Sequence, residues 1–272
     1  MGILILEYHD ILTTESEIFL SLIMKFLDPD KPPWQNGGAL EVIHKIVVRP
    51  NLITFMTEKF DMNDHSTNVF QDMINSLGAF VQNVLLTPSG PSDHQANDPE
   101  GGGRGLGTGG GGGAMGQSYG PGSSPQPGFS YRNVWKPLTI SFIGGQTKDI
   151  YLDISDRGEV PAVSDGYCLS LAYVCLLDVV RSLSLLIDHP GQTSAQGSSS
   201  SSDYGGLTTV EHISGDCTQS LLESSWCGVL SAMSLLLDAS TDDSSTENIL
   251  KHLETFARSL GHYLNFVLFP FS

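Results

Sequence analysis

An all-α fold is predicted by three features of the sequence. Apolar residues recur at three- and four-residue spacing in block after block, the period of a helix with one buried face. The breaks between the first blocks are short and rich in proline, so consecutive helices lie against one another. Strict apolar–polar alternation is nearly absent. Successive helix pairs of this kind suggest a solenoid of the armadillo or HEAT type, with one small β-hairpin and two long linkers.

The first block runs from about Ile11 to Leu86. Thr13 or Thr14 is expected to cap a helix with Glu15 and Glu17 in its first turn, where carboxylates suit the helix dipole. Ile18, Phe19, Leu22, Ile23, Phe26 and Leu27 then form one apolar face, and Asp28-Pro29-Asp30-Lys31-Pro32-Pro33 stops the helix. Trp34–Val48 is a second helix, weakened at Gly37-Gly38 by about 1 kcal/mol per glycine relative to alanine. After Arg49-Pro50, Asn51–Phe60 is a short third helix. Ser66 or Thr67 is expected to cap a fourth, carrying Val69, Phe70, Met73, Ile74, Leu77, Phe80, Val81, Val84 and Leu85.

Residues 88–130 are rich in Pro, Gly, Ser and Gln, and 15 of the 30 glycines lie between Gly90 and Gly128. Such a segment buries too little apolar surface to offset chain entropy, so a disordered linker is expected there, and another at 189–209 around the serine run Ser198–Ser202. Between them, in 131–188, Leu138–Ile143 and Ile150–Ile154 alternate around Gly144-Gly145 and read as a hairpin. A long helix capped by Ser164 or Asp165 follows, bearing Leu169, Tyr173, Leu176, Leu177, Val180 and Leu183. The segment 210–272 holds a helix from Asp216 to Leu237 and a last one capped by Ser244 or Ser245. Its apolar ending, Phe266–Ser272, reads as a chain cut short.

Charge and cysteine usage narrow the function. Thirteen basic residues against 30 acidic ones leave the 272-residue chain at −17. Nucleic-acid binding is disfavoured, because phosphate neutralisation needs Lys and Arg, and so is adsorption to an anionic membrane. Cys168, Cys175, Cys217 and Cys227 have neither CxxC nor Cys/His metal spacing and read as reduced, largely buried residues of a cytosolic protein. The apolar start Met1–Leu6 lacks the basic flank and cleavage site of a signal peptide, and no window supplies the roughly 20 uninterrupted apolar residues of a membrane span.

No catalytic, cofactor or metal site is legible. Gly105-Leu106-Gly107-Thr108-Gly109-Gly110 matches GxGxxG in form alone: it neither follows a strand nor opens a helix, and no lysine lies between Lys59 and Lys136 to complete a phosphate loop. The eight histidines are scattered without HExxH, and His44, on an apolar helix face, reads as a core or rim histidine. Ser225-Trp226-Cys227-Gly228 lies within a helical pattern, without the strand-to-helix elbow that exposes a nucleophile. Asp238, Asp242, Asp243 and Glu247 lack calcium-loop spacing and read as a helix-cap region.

Several stretches carry a specific resemblance. They are Glu15–Leu22, Lys25-Phe26-Leu27-Asp28, Lys31-Pro32, Trp34, Ala39–His44, Phe60-Asp61-Met62 and His65–Phe70 in the first block. Beyond the linker they are Tyr131-Arg132, Trp135, Gly166-Tyr167, Cys175–Asp178, Trp226-Cys227-Gly228, Leu235–Asp242 and Thr246–Lys251. Together they resemble the Mon-two family of trafficking scaffolds, relatives of the BIG and Sec-seven Arf exchange factors. The resemblance implies an armadillo-like fold and makes residues 1–87 a HUS-like block. That block's signature box is matched here by Phe60 and Asp61 and departed from by Lys59 and Met62. Asp61 would hold the loop between helices and help dock a preceding domain; from position alone, its carboxylate can accept backbone N–H bonds.

The family further implies a non-enzymatic scaffold without cofactor or metal, cytoplasmic and peripheral on Golgi and endosome membranes. Implied partners are Dopey-type proteins, through them a flippase and retromer-linked carriers, and Arf-family GTPases. The alternatives are a regulatory arm of an Arf exchange factor and a non-functional truncated product.

Overall fold

A computed structural model of the chain describes residues 2–86, 127–132, 134–139, 162–164, 166–188 and 214–268. The expected linkers at 88–126 and 189–209, and the expected strand residues 140–143 and 150–154, lie outside these.

The helices are α1 (Gly2–Tyr8), α2 (Thr13–Lys25), α3 (Pro33–Val47), α4 (Pro50–Met56), α5 (Val69–Leu86), α6 (Tyr167–Asp188), α7 (Gly215–Ala239) and α8 (Asp243–Leu268). The apolar start is therefore a helix, with Ile5 in the core. α2 begins at Thr13 itself, and its N-cap Leu12 makes no side-chain cap bond, so the expected threonine cap is replaced. α3 opens with Pro33 in its first turn, where a missing N–H costs nothing, and runs unbroken through Gly37-Gly38. The helix expected over Asn51–Phe60 divides: α4 ends at Met56 and a π-helical turn spans Thr57–Asp61, closed by the Met62 N–H donating to the Thr57 carbonyl at 2.9 Å.

The helices form two layers. α2, α5 and α7 stack in one, and α3, α6 and α8 in the other. α2 with α3, α5 with α6 and α7 with α8 face each other across the layers, the stacked helix pairs of the solenoid arrangement expected from the sequence. Three bonds set the register between α3 and α6. Cys168 Sγ donates to the Pro33 carbonyl at 3.4 Å, Cys175 Sγ to Leu40 at 3.8 Å and Ser182 Oγ to Val47 at 2.6 Å. Each pair is 135 residues apart. A constant offset means parallel helices, and seven-residue steps keep the same stripe facing the partner.

α5 and α7 approach closely at two glycines. A Cβ on Gly228 would lie 2.7 Å from Ile74 Cγ2, and one on Gly78 would lie 3.6 Å from the Gly228 carbonyl oxygen. The core runs through both layers, with Leu40, Ile43, Ile46, Phe70, Tyr173, Leu183, Val229, Met233 and Phe256 all buried.

The described residues hold a hairpin upstream of the expected strands, which themselves lie outside those residues. β1 (Gly128–Tyr131) pairs antiparallel with β2 (Val134–Pro137), so Gly128–Ser130 are strand rather than the end of a linker. Arg132 in the turn has φ +47°, as a two-residue hairpin loop demands. Two strands alone are marginal; this pair is pinned to the helices. Phe129 is fully buried, edge-on to Tyr173 at 5.4 Å between ring centres. Thr241 donates twice to the Gly128 carbonyl, from N at 3.2 Å and Oγ1 at 2.8 Å.

α6 and α7 are long and apolar enough to cross a membrane, which corrects the expectation that no segment is. The most apolar window of α6 is 83% buried inside the protein, between α3 and α8, and that of α7 is 39% buried. Placement makes α6 a core helix.

Candidate functional site

The π turn after α4 packs against α4, α5 and α7. The extra residue in the turn drops Phe60 inward and swings Asp61 toward the start of α5. Phe60 is buried edge-on to Phe55 at 5.5 Å, and Phe55 meets His9 of the α1 end at 4.6 Å. Asp61 Oδ1 accepts the Phe70 N–H at 2.9 Å and Oδ2 the Gln71 N–H at 3.1 Å. These are first-turn donors of α5, so the carboxylate caps that helix from nine and ten residues upstream. The expected cap from Ser66 or Thr67 is thereby displaced: Thr67 instead donates from N and Oγ1 to Glu17 of α2, at 2.8 and 2.9 Å.

Burial pushes the Asp61 carboxyl above its usual 3.8, against the lowering effect of the Phe70, Gln71 and Ser224 hydrogen bonds. Ser224 lies on α7, so Asp61 ties the π turn, α5 and α7 together. Spacing along the chain could not reveal this third partner, which arrives from 163 residues away in the other half of the fold. Cys217 of α7 is at the same junction. Burial first, then the Glu58 and Asp61 charges, push its thiol to about 12, so it stays protonated and unreactive. Cys168 is likewise raised to about 12, chiefly by burial.

A second feature is an apolar stripe on α2. Ile18, Leu22 and Phe26 are 55%, 45% and 41% exposed, while Leu20, Met24 and Leu27 face the core. The face expected to bury Ile18, Leu22 and Phe26 is thus turned outward: α2 is apolar on two sides, and periodicity cannot say which meets α3 and α5. Ile11 extends the exposed stripe.

The other singled-out residues have structural partners. His44 Nε2 is 3.2 Å from Asp178 Oδ2, across the α3–α6 contact. Asp242 Oδ2 accepts the Ser245 N–H at 2.8 Å, so Asp242, rather than Ser244 or Ser245, caps α8. Ser225 Oγ donates to the Leu221 carbonyl at 2.7 Å, as a helix-buried serine does. The Ser214 side chain caps α7 through the Cys217 N–H at 3.1 Å. Among the described residues, no group of three or more His, Cys, Asp or Glu could hold a metal ion.

Residues 1–69, which take in α1–α4 and the π turn, match the family model described as Mon2/Sec7/BIG1-like, HUS domain. The chain is related along nearly its whole length to one stretch of the MON2 proteins, as the residues quoted above imply. It is 38% identical to the MON2 homolog of Homo sapiens over 279 residues, 35% to that of Xenopus laevis over 289, and 37% to that of Drosophila melanogaster over 266. Each alignment takes in 96% of this chain, and so spans the segments 88–130 and 189–209 that the quoted motifs skip. The chain spans 16%, 16% and 14% of those relatives' length. No solved structure matches it.

Proposed function

We propose that this chain is a non-enzymatic scaffold segment in endosome-to-Golgi membrane traffic that binds protein partners through its helical surfaces. The observation that carries the reading is the exposed pair Ile18 and Leu22 on α2, extended by Ile11 before the helix and Phe26 at its C-cap. Exposed large apolar side chains in a row mark a surface another helix covers. The likeness to MON2 proteins supports the trafficking context, with the protein cytoplasmic and peripheral on Golgi and endosome membranes. The finer partners are Dopey-type proteins, through them a flippase and retromer-linked carriers, and Arf-family GTPases. Phe60 and Asp61 serve this function indirectly, by holding the π turn against α5 and α7.

The test is capture of a Dopey-type protein on the immobilised chain. Ile18→Glu with Leu22→Glu should abolish capture while leaving the helical circular dichroism intact; undiminished capture would remove α2 from the interface. Regulation of an Arf exchange factor is the competing reading, favoured by the HUS match. Under it, adding the chain to a purified exchange factor changes the rate of nucleotide release from Arf; under the scaffold reading it does not.

A further inference from the structure

α6 and α7 are both apolar enough to cross a membrane, yet the protein buries 83% of the α6 window and 39% of the α7 window. Apolar surface left uncovered on that scale marks an interaction face. On α7 it has a regular layout. Asp216, Glu223, Leu230 and Leu237 follow one another at seven-residue steps, and Gln219 and Trp226 fall three residues along in the first two steps. Spacing of three and four residues in turn is the seam on which a second helix lies. Asp216, Gln219, Glu223 and Trp226 are exposed, and Leu230 and Leu237 are half-buried. Met233, the next residue in the series, is buried, so the seam follows the edge of the core.

The charge along this seam has one sign. α7 carries Asp216, Glu223 and Asp238 and no Lys, Arg or His. None of these three carboxylates forms an ion pair among the described residues, and Glu223 accepts from the neutral Gln219 amide at 2.7 Å. The cations of neighbouring α8 are turned elsewhere: Arg258 to Glu254 at 3.9 Å, and Lys251 to the α6 side. Tyr263 of α8 reports the result, its hydroxyl raised above 10.0 by burial and then by the Glu223 and Asp216 charges.

A helical seam that is acidic in its first half and apolar in its second selects its complement. We propose that the α7 seam docks a basic amphipathic helix of a partner protein. Lys or Arg side chains of that helix meet Asp216 and Glu223, and its apolar side chains pack on Trp226, Leu230 and Leu237. A second copy of α7 fits poorly. Parallel pairing sets acid on acid, and antiparallel pairing sets Asp216 and Glu223 against Leu237 and Leu230, which buries carboxylates without partners. An anionic membrane surface is repelled by the same carboxylates, and α7 has no Lys or Arg to reach its headgroups. α5 lies between α7 and α2, so the seam and the α2 stripe are separate surfaces and either can fail without the other.

The test is fluorescence anisotropy of a labelled helical peptide of matching length, with Lys at the seam positions of one half and Leu at those of the other, titrated with the whole chain. The expected result is binding that Glu223→Lys weakens about tenfold or more and that about 0.5 M salt weakens similarly. Trp226→Ala should weaken it at low and high salt alike. Both residues are exposed, so both variants should keep the helical circular dichroism. Asp30→Lys makes the same charge change in the exposed α2–α3 connection and should leave the affinity within about twofold. No binding, equal binding by Glu223→Lys, equal weakening by Asp30→Lys, tighter binding of a peptide with Glu in place of Lys, or cosedimentation of the chain with phosphatidylserine vesicles that Trp226→Ala abolishes would each overturn the proposal.

Discussion

At the scale of single residues, Asp61 does the most for its size. Its two bonds to α5 replace a local cap, and losing such a side chain costs about 0.5–2 kcal/mol. Asp61→Ala should lower the unfolding free energy by that amount in urea titration. Asp61→Asn separates cap from charge. Because burial raises the folded carboxyl above 3.8, the folded state holds the proton more tightly than the unfolded chain. The contribution from this group is fully present below pH 3.8 and lost as pH rises through the folded value. Asp61→Asn should therefore flatten the pH dependence of the melting temperature above pH 4, relative to the unmodified chain. Two glycines make a matched pair. Gly228→Ala forces a methyl to within 2.7 Å of Ile74 and should destabilise by about 1–3 kcal/mol. Gly38→Ala, in open space on α3, should stabilise by about 0.5–1 kcal/mol. Melting temperatures moving in the same direction would refute the α5–α7 contact as described.

At the scale of elements, the hairpin and the helix stack differ in what holds them. The hairpin depends on Phe129 and on the bonds from Thr241 to Gly128. Phe129→Ala should cost about 3–5 kcal/mol if the hairpin and helices unfold together. A smaller loss in global stability, with faster tryptic cleavage at Arg132 and unchanged helical circular dichroism, would mean that the hairpin detaches by itself. The α3–α6 pair is held by apolar burial and by a row of thiol and hydroxyl donors on one stripe. Those donors are invisible to a hydrophobic pattern, because Cys and Ser at seven-residue spacing look like neutral filler until the facing carbonyls are in place.

Over the whole molecule, charge and apolar surface oppose each other. A charge of −17 keeps copies apart at low salt, and at 1 M salt the screening length falls to about 3 Å. The exposed α2 stripe is then free to self-associate. Light scattering of the purified chain should rise with salt, and the rise should vanish in Ile18→Glu with Leu22→Glu. Association that persists in that variant would assign it to another surface, the apolar ending at Phe266–Ser272 being the expected one. The two-layer stack also explains why α6 is as apolar as a membrane span: it is the central helix of its layer, with neighbours on both sides.

Helix periods, proline breaks and the resemblance of short motifs were enough to determine the all-α class, the position of nearly every helix and the Mon-two likeness, because those are local properties of the chain. That the Asp61 carboxylate could accept backbone N–H bonds was also legible, since its place between two helices is local. What only the tertiary structure decided was which partners those residues meet. α2 carries apolar residues on two faces, and only packing against α3 and α5 selects Leu20, Met24 and Leu27 for the core. Thr67 and Asp61 could each have served α5; the π turn places the carboxylate there and releases the threonine to Glu17. Gly128–Ser130 join a strand rather than a linker because Phe129 finds a buried site against Tyr173, a gain that no window of sequence contains.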